Sequence, residues 1–304
     1  MKTNKIKNFL SNCVKGAAIG VSMIIPGFSG GTIAVLMNIY DKLLEAVTGI
    51  FKNFKKSFLF LLPIIIGAVL GFIGLVIPLE YGLSHIPLII VSLFVGLIIG
   101  GIPFIYKKVQ GKENLVSIIV GLCAMALTIS LCFIKGGISI DFSSLNVGSF
   151  LYLILAGALA SIALVAPGIS GSMTLMVLGV YTTIITSLKE ILSFENLVHN
   201  ALLLIPLAIG LVVGFFLMSM LMKYLLQKHK TSTYFAILGF IIGSIVTIYY
   251  VTITDEQYPV VFDAPNIIFS VITLIIGVVA AFFVEHIAVK KALKEKEEAE
   301  TRSE

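Results

Sequence analysis

The chain is nearly empty of the residues from which phosphoryl-transfer chemistry is usually built. Its only arginine is Arg302, its four histidines are scattered, and no aspartates pair at metal-ligand spacing. Neither a cationic cluster nor a metal is on hand to stabilise a transferred phosphoryl group, so catalysis is not expected. Cysteine is equally sparse. Cys13, Cys123 and Cys132 are odd in number and lack both Cys-x-x-Cys spacing and nearby histidines, which argues against a metal site and leaves them as small apolar residues. Charge is scarce as well, at 12% of 304 residues. The net charge of +5 would suit a nucleic-acid binder, but no soluble basic domain exists to hold one. The amino terminus, "MKTNKIKNFLSNCVKG", is basic and polar without a small-residue cleavage site, so the first apolar segment is expected to be retained.

What fills the chain instead is apolar: 58% hydrophobic residues and a mean hydropathy of +1.08 describe an all-α polytopic membrane protein. Six segments, about 57–77, 87–106, 115–134, 201–222, 234–253 and 266–284, are long enough to cross a bilayer. Two longer regions, 14–50 and 150–188, are interrupted near their centres by "PGFSGGT" and "PGISGSMT". Each interruption separates two short apolar pieces, the pattern of a re-entrant hairpin of two half-helices. If both regions return to the side they entered, every Lys and Arg of the 21 except Lys135 and Lys189 falls on one face. The positive-inside rule makes that face cytoplasmic, with both termini there. A pair of full spans has the same parity, so charge does not separate hairpins from spans.

The two halves match. At an offset of 141, Gly16, Ala17, Pro26, Gly27, Ser29, Gly30 and Tyr40 correspond to Gly157, Ala158, Pro167, Gly168, Ser170, Gly171 and Tyr181. At an offset of 143, Pro63, Gly67, Gly71, Phe72, Gly96 and Gly100 correspond to Pro206, Gly210, Gly214, Phe215, Gly239 and Gly243. One transmembrane domain over 1–304 is expected, with repeat units at about 14–134 and 150–286 and a charged cytoplasmic tail at 287–304. Each unit holds one hairpin and three crossings, and an odd number of crossings makes the repeat inverted, an arrangement that puts transport sites at broken helices near the midplane. The Gly-x-x-x-Gly pairs read as close helix contacts.

At each break, proline and glycine end the first half-helix, and Ser29 or Ser170 is placed to cap the second. Backbone N–H groups left deep in hydrocarbon need a partner. An anion supplies one, aided by the helix dipole and by hydroxyls of Ser29, Thr32, Ser170, Ser172 and Thr174. Carbonyls around 22–25 and 163–166 face a coupling cation on the same reasoning, so proton or sodium coupling stays open, as does the blander reading that the turns cap each other and a few waters. Asp41 and Glu45 are interfacial residues that become proton carriers if the fold buries them. Glu80, His85, His199, His229, Glu285 and His286 fall at segment ends and read as solvated.

With these residues in view, "PGFSGGT" followed by an apolar helix and Tyr40, repeated as "PGISGSMT" with Tyr181, resembles the bacterial polyprenyl-phosphate transporters of the PopT type. The resemblance runs from about Gly16 to His286. It implies a lipid flippase that returns undecaprenyl phosphate, or a related lipid phosphate, from the outer to the inner leaflet of the plasma membrane for cell wall biogenesis. The motif positions it marks are Pro26, Gly27, Ser29, Gly30, Gly31 and Thr32, with Pro167, Gly168, Ser170, Gly171 and Ser172. The second copy departs from the first at Ser172 and Met173, which puts equal roles for the copies in question. The rival reading is an ion-coupled transporter of a small soluble anion. Sequence leaves the oligomeric state open.

Overall fold

A computed structural model describes residues 2–22, 29–133, 142, 146–254 and 260–300. Pro26, Gly27, Lys135 and Arg302 lie outside the described residues, as do the side chains of Glu80, Lys189, Glu285 and His286. The described residues form helices and connections without a strand: α1 (Lys2–Ser22), α2 (Gly30–Leu36), α3 (Tyr40–Thr48), α4 (Phe54–His85), α5 (Pro87–Lys107), α6 (Leu115–Cys132), α7 (Val147–Val165), α8 (Gly171–Val177), α9 (Tyr181–Leu192), α10 (Leu197–Lys228), α11 (Lys230–Thr254) and α12 (Ala264–Glu300). Seven of them, α4 to α7 and α10 to α12, are long and apolar enough to cross a membrane. A helix is the form open to such runs, because hydrocarbon offers no partner to an unpaired backbone group. Asn114 and Asn146 fix two helix starts by accepting from Ser117 N and Ser149 N at 2.8 and 2.9 Å.

The six uninterrupted spans form as expected, and α7 adds a seventh. The broken regions differ from the expected pair of half-helices. Each is one long helix followed by two short ones, α1 with α2 and α3, and α7 with α8 and α9. Two physical causes account for this. The helix before each Pro-Gly begins earlier, at Lys2 and Val147, and α7 at 19 residues reaches spanning length. A second break then follows each turn, where Asn38 (φ 54°) and Gly179 (φ 69°) occupy the left-handed region that asparagine and glycine tolerate. α12 continues as helix through the charged tail to Glu300.

Element bounds and contacts recur at the offsets of the sequence match. α2 and α8 start and end 141 residues apart, and α4 and α10 start and end 143 apart. α1 packs on α4 as α7 packs on α10, α5 on α12 as α11 on α6, and α5 meets α11 between the halves. The missing side chains of glycines make these contacts: Gly67 faces the Cys13 backbone and Gly210 that of Ile154, while Gly71 faces Ala17 and Gly214 faces Ala158. α5 and α11 form the centre, with Val91, Val95, Ile98, Ile237, Ile241 and Ile248 at most 1% exposed. α4, α6, α10 and α12 instead expose large apolar side chains such as Ile65, Leu70, Leu122, Val212, Leu217 and Ile272, the surface that lipid covers.

Because any Cβ at Gly67 or Gly210 would overlap backbone of the partner helix, Gly67→Val and Gly210→Val are each expected to destabilise by more than the ~1–3 kcal/mol typical of overpacking. Thermal unfolding in detergent checks this, with the exposed Val69→Ala as a control that leaves the midpoint in place.

Candidate functional site

Between α7 and the seven-residue α8 the chain turns at Pro167 and Gly168, and the starts of α2 and α3 come to rest against that turn. α7 ends at Val165, where the last carbonyls of a helix lack partners of their own. Val165 finds one in the other half: Tyr40, the first residue of α3, donates its buried hydroxyl to Val165 O at 2.7 Å. A Cβ on Gly31 would lie 3.4 Å from both Leu164 O and Pro167 Cα, so the start of α2 rests against the second turn. On its far side that turn meets α11. Gly168, with φ 89°, approaches the backbone of Phe240 and Ile241 more closely than any Cβ permits.

The hydroxyls divide unequally. Ser29 holds the N-cap position of α2 in extended conformation but makes no capping bond through its side chain. Its carbonyl takes that role, accepting from Thr32 N at 3.0 Å and Ile33 N at 3.4 Å. Among the described residues, Ser29 Oγ and Thr32 Oγ1 are buried without a hydrogen-bond partner. Buried hydroxyls are usually paired, and an orphan costs ~1–3 kcal/mol. In the second copy, Ser170 Oγ and Ser172 Oγ bond each other at 2.9 Å, and Thr174 Oγ1 donates to Ser170 O at 3.0 Å. Gly30 and Gly171 pack within their own halves, against Ile19 and Ala160.

Three expectations need correction. Capping by the Ser29 side chain does not occur, because the N–H group it would serve already bonds the Ser29 carbonyl. α2 and α8 span seven residues each, about two turns, so few aligned peptide dipoles add at their ends. One carbonyl expected to face a cation, that of Val165, belongs to Tyr40.

Two polar cavities lie near opposite ends of α10. The larger, about 470 Å³, is walled by Thr182, Thr186, Ser187, Glu190, His199 and Asn200. Glu190 accepts from Asn200 Nδ2 at 2.9 Å and Asn196 Nδ2 at 3.1 Å, and these two bonds hold its carboxyl below the usual range. His199 is therefore part of a wall rather than simply solvated. The smaller cavity, about 210 Å³, collects Asp41, Glu45, Lys223, Gln227, Lys230 and Tyr234. Asp41 and Glu45 are exposed, so the burial on which a proton-carrying role depended is not met. Among the described residues, no three His, Cys, Asp or Glu side chains group to hold a metal ion.

Sequence reasoning missed the roles of Tyr40, Lys108, Lys223 and Tyr234. Tyr40 carried a signal, its recurrence as Tyr181. The lysines did not stand out, because the topology argument already accounted for them.

Seven helices long and apolar enough to cross a bilayer, polar cavities at both ends of one of them, and the starts of α2 and α3 set against the break after α7 define a multi-pass membrane protein. Residues 19–261 match the undecaprenyl phosphate translocase-like family, and the chain belongs to it. It is 34% identical over 247 residues to a protein of Staphylococcus aureus (strain NCTC 8325 / PS 47) named polyprenyl-phosphate transporter, covering 78% of this chain and 85% of that one. It is 28% identical over 261 residues to a protein of the same name from Vibrio cholerae serotype O1 (strain ATCC 39315 / El Tor Inaba N16961), covering 81% and 79%. No solved structure matches it significantly.

Tyr40→Phe strands the Val165 carbonyl and is expected to cost ~1–3 kcal/mol in unfolding free energy. Ser29→Ala and Thr32→Val each remove an orphaned hydroxyl, so their unfolding midpoints are expected to match or exceed the native one; a loss at either position would show that the hydroxyl has a structural partner.

Proposed function

We propose that this protein carries undecaprenyl phosphate, or a closely related polyprenyl phosphate, from the outer to the inner leaflet of a bacterial plasma membrane for reuse in envelope synthesis, holding the phosphate where the two breaks meet. The observation that carries this reading is the pair of buried, unpartnered hydroxyls, Ser29 and Thr32, beside the contact of Gly31 with Leu164 and Pro167. A phosphate oxygen is the acceptor that such donors lack, and hydrogen bonds to a charged oxygen are about twice as strong as neutral ones. The relatives' shared name, polyprenyl-phosphate transporter, supports the lipid cargo. A prenyl tail stays dissolved in the bilayer, so the protein need shield only the headgroup.

In this reading the lysine-rich face is cytoplasmic and both termini lie there. The halves form an inverted repeat with re-entrant broken regions, supported by the contacts that recur between equivalent glycines and by three candidate spans, α4, α5 and α6, after the first broken region. A proton or sodium gradient drives the exchange, and the cargo passes chemically unchanged. A second reading, ion-coupled transport of a small soluble anion, draws on the hydroxyl-lined cavity of about 470 Å³.

Sealed proteoliposomes holding labelled undecaprenyl phosphate in the outer leaflet test both, under a proton and then a sodium gradient, with radiolabelled inorganic phosphate in a parallel arm. The native protein is expected to clear the lipid, and the Ser29→Ala, Thr32→Val double variant to do so at least ~10-fold more slowly, the effect of ~1.4 kcal/mol of lost barrier lowering. Equal rates for the two proteins contradict the headgroup site. Uptake of inorganic phosphate without movement of the lipid favours the second reading.

A further inference from the structure

Besides the bond that Tyr40 donates to Val165 O, three hydrogen bonds reach the segment from Asn38 to Thr48, which contains α3, and these three share a direction. Lys108 Nζ, just beyond α5, donates to Asn38 Oδ1 at 2.7 Å. Tyr234 OH on α11 donates to Asp41 Oδ2 at 3.3 Å. Lys223 Nζ on α10 donates to Thr48 Oγ1 at 3.2 Å. Every donor belongs to a helix outside the broken region or to its end, and every acceptor belongs to α3 or the turn before it. Two of the donors act together, since Lys108 Nζ also donates to Tyr234 OH at 3.3 Å and lies 5.2 Å from the centre of its ring. Lys223, Tyr234 and Lys230 wall the cavity of about 210 Å³.

Two of these bonds are long, and two of the acceptors are a neutral amide and a neutral hydroxyl. A phosphate monoester presents several charged oxygens to the same donors at shorter range. We propose that this cavity is a second phosphate site, on the lysine-rich face, in which a phosphate monoester takes Lys223 and Tyr234 away from Thr48 and Asp41, with Lys108 drawn from Asn38 through its bond to Tyr234, and so releases α3. Asp41 and Glu45 in the same wall oppose retention of an anion, which makes the site one of passage. Release of α3 reaches the paired breaks directly, because α3 begins with Tyr40, the residue bonded to Val165 O. The inference rests on the reading that the cargo is a phosphate.

The test is hydrogen exchange of the full chain in phosphatidylcholine nanodiscs, with farnesyl phosphate, inorganic phosphate or sulfate added, alongside binding measured by thermal shift. Farnesyl phosphate is expected to speed exchange of the 40–48 amides at least threefold. Inorganic phosphate doing the same identifies a site that reads phosphate alone; a response to farnesyl phosphate only identifies one that also needs the lipid tail. The Lys223→Gln, Lys230→Gln variant is expected to bind about tenfold more weakly, and Lys223→Arg, which keeps the donor, to behave as native if the Gln pair folds poorly. Unchanged or slower exchange in 40–48 at saturating ligand, an equal response to sulfate, or native binding in a folded Gln pair overturns the proposal. Transport intact with no response in 40–48 rejects this site alone, whereas a response without lipid transport rejects the carrier reading and leaves a phosphate-responsive cavity.

Discussion

In hydrocarbon a backbone polar group without a partner costs several kcal/mol, and this constraint governs the rest of the structure. In each half an apolar region is divided between two helices, α1 ending at Ser22 and α2 starting at Gly30, α7 ending at Val165 and α8 starting at Gly171, and the freed ends must be answered by other parts of the same chain. One answer crosses between halves, from Tyr40 to the Val165 carbonyl. Another is internal, where the Ser29 carbonyl takes two N–H groups at the start of α2. Ser29 and Thr32 carry the hydroxyls at this place that the described residues leave unanswered, and the functional reading grows from them.

The breaks need a rigid frame, because two turns that merely drifted near one another would form no site. Glycine supplies it by letting α1 lie on α4 and α7 on α10 at backbone contact, and by seating Gly168 against α11. α5 and α11 give the frame its centre, with branched side chains sealed from lipid. Against it stand the short helices, α2, α3, α8 and α9, of seven to twelve residues. Their contacts with the frame are fewer, and those of α3 and the turn before it include polar ones at Asn38, Asp41 and Thr48; elements with few packed contacts are the ones that move in proteins generally.

Much of this was legible in the sequence. The membrane class followed from apolar runs, the repeated packing from glycines at fixed offsets, and the position of the breaks from proline and glycine, because each has a local cause that acts within a few residues. The second break of each region was harder to see. Asn38 and Gly179 carry it through backbone conformation, and a lone asparagine in an apolar segment also reads as an ordinary surface residue. The pairing of Tyr40 with Val165 joins residues 125 apart, and the donors Lys108, Lys223 and Tyr234 reach α3 only after α5, α10 and α11 have packed. Long-range pairs of this sort leave no periodic trace. The inequality of the two copies was announced by Ser172 and Met173 standing where the first copy has Gly31 and Thr32, and it emerged as two serines bonded to each other in one copy and orphaned hydroxyls in the other.

The most direct measurement is a cryo-electron microscopy structure of the full chain in lipid nanodiscs loaded with undecaprenyl phosphate. The account predicts phosphate density within hydrogen-bonding distance, ~2.5–3.0 Å, of Ser29 Oγ and Thr32 Oγ1, beside the Leu164–Pro167 backbone, with the prenyl chain leading out to lipid. A headgroup resolved elsewhere, with Ser29 and Thr32 still unpartnered or bonded to other protein groups, would contradict it.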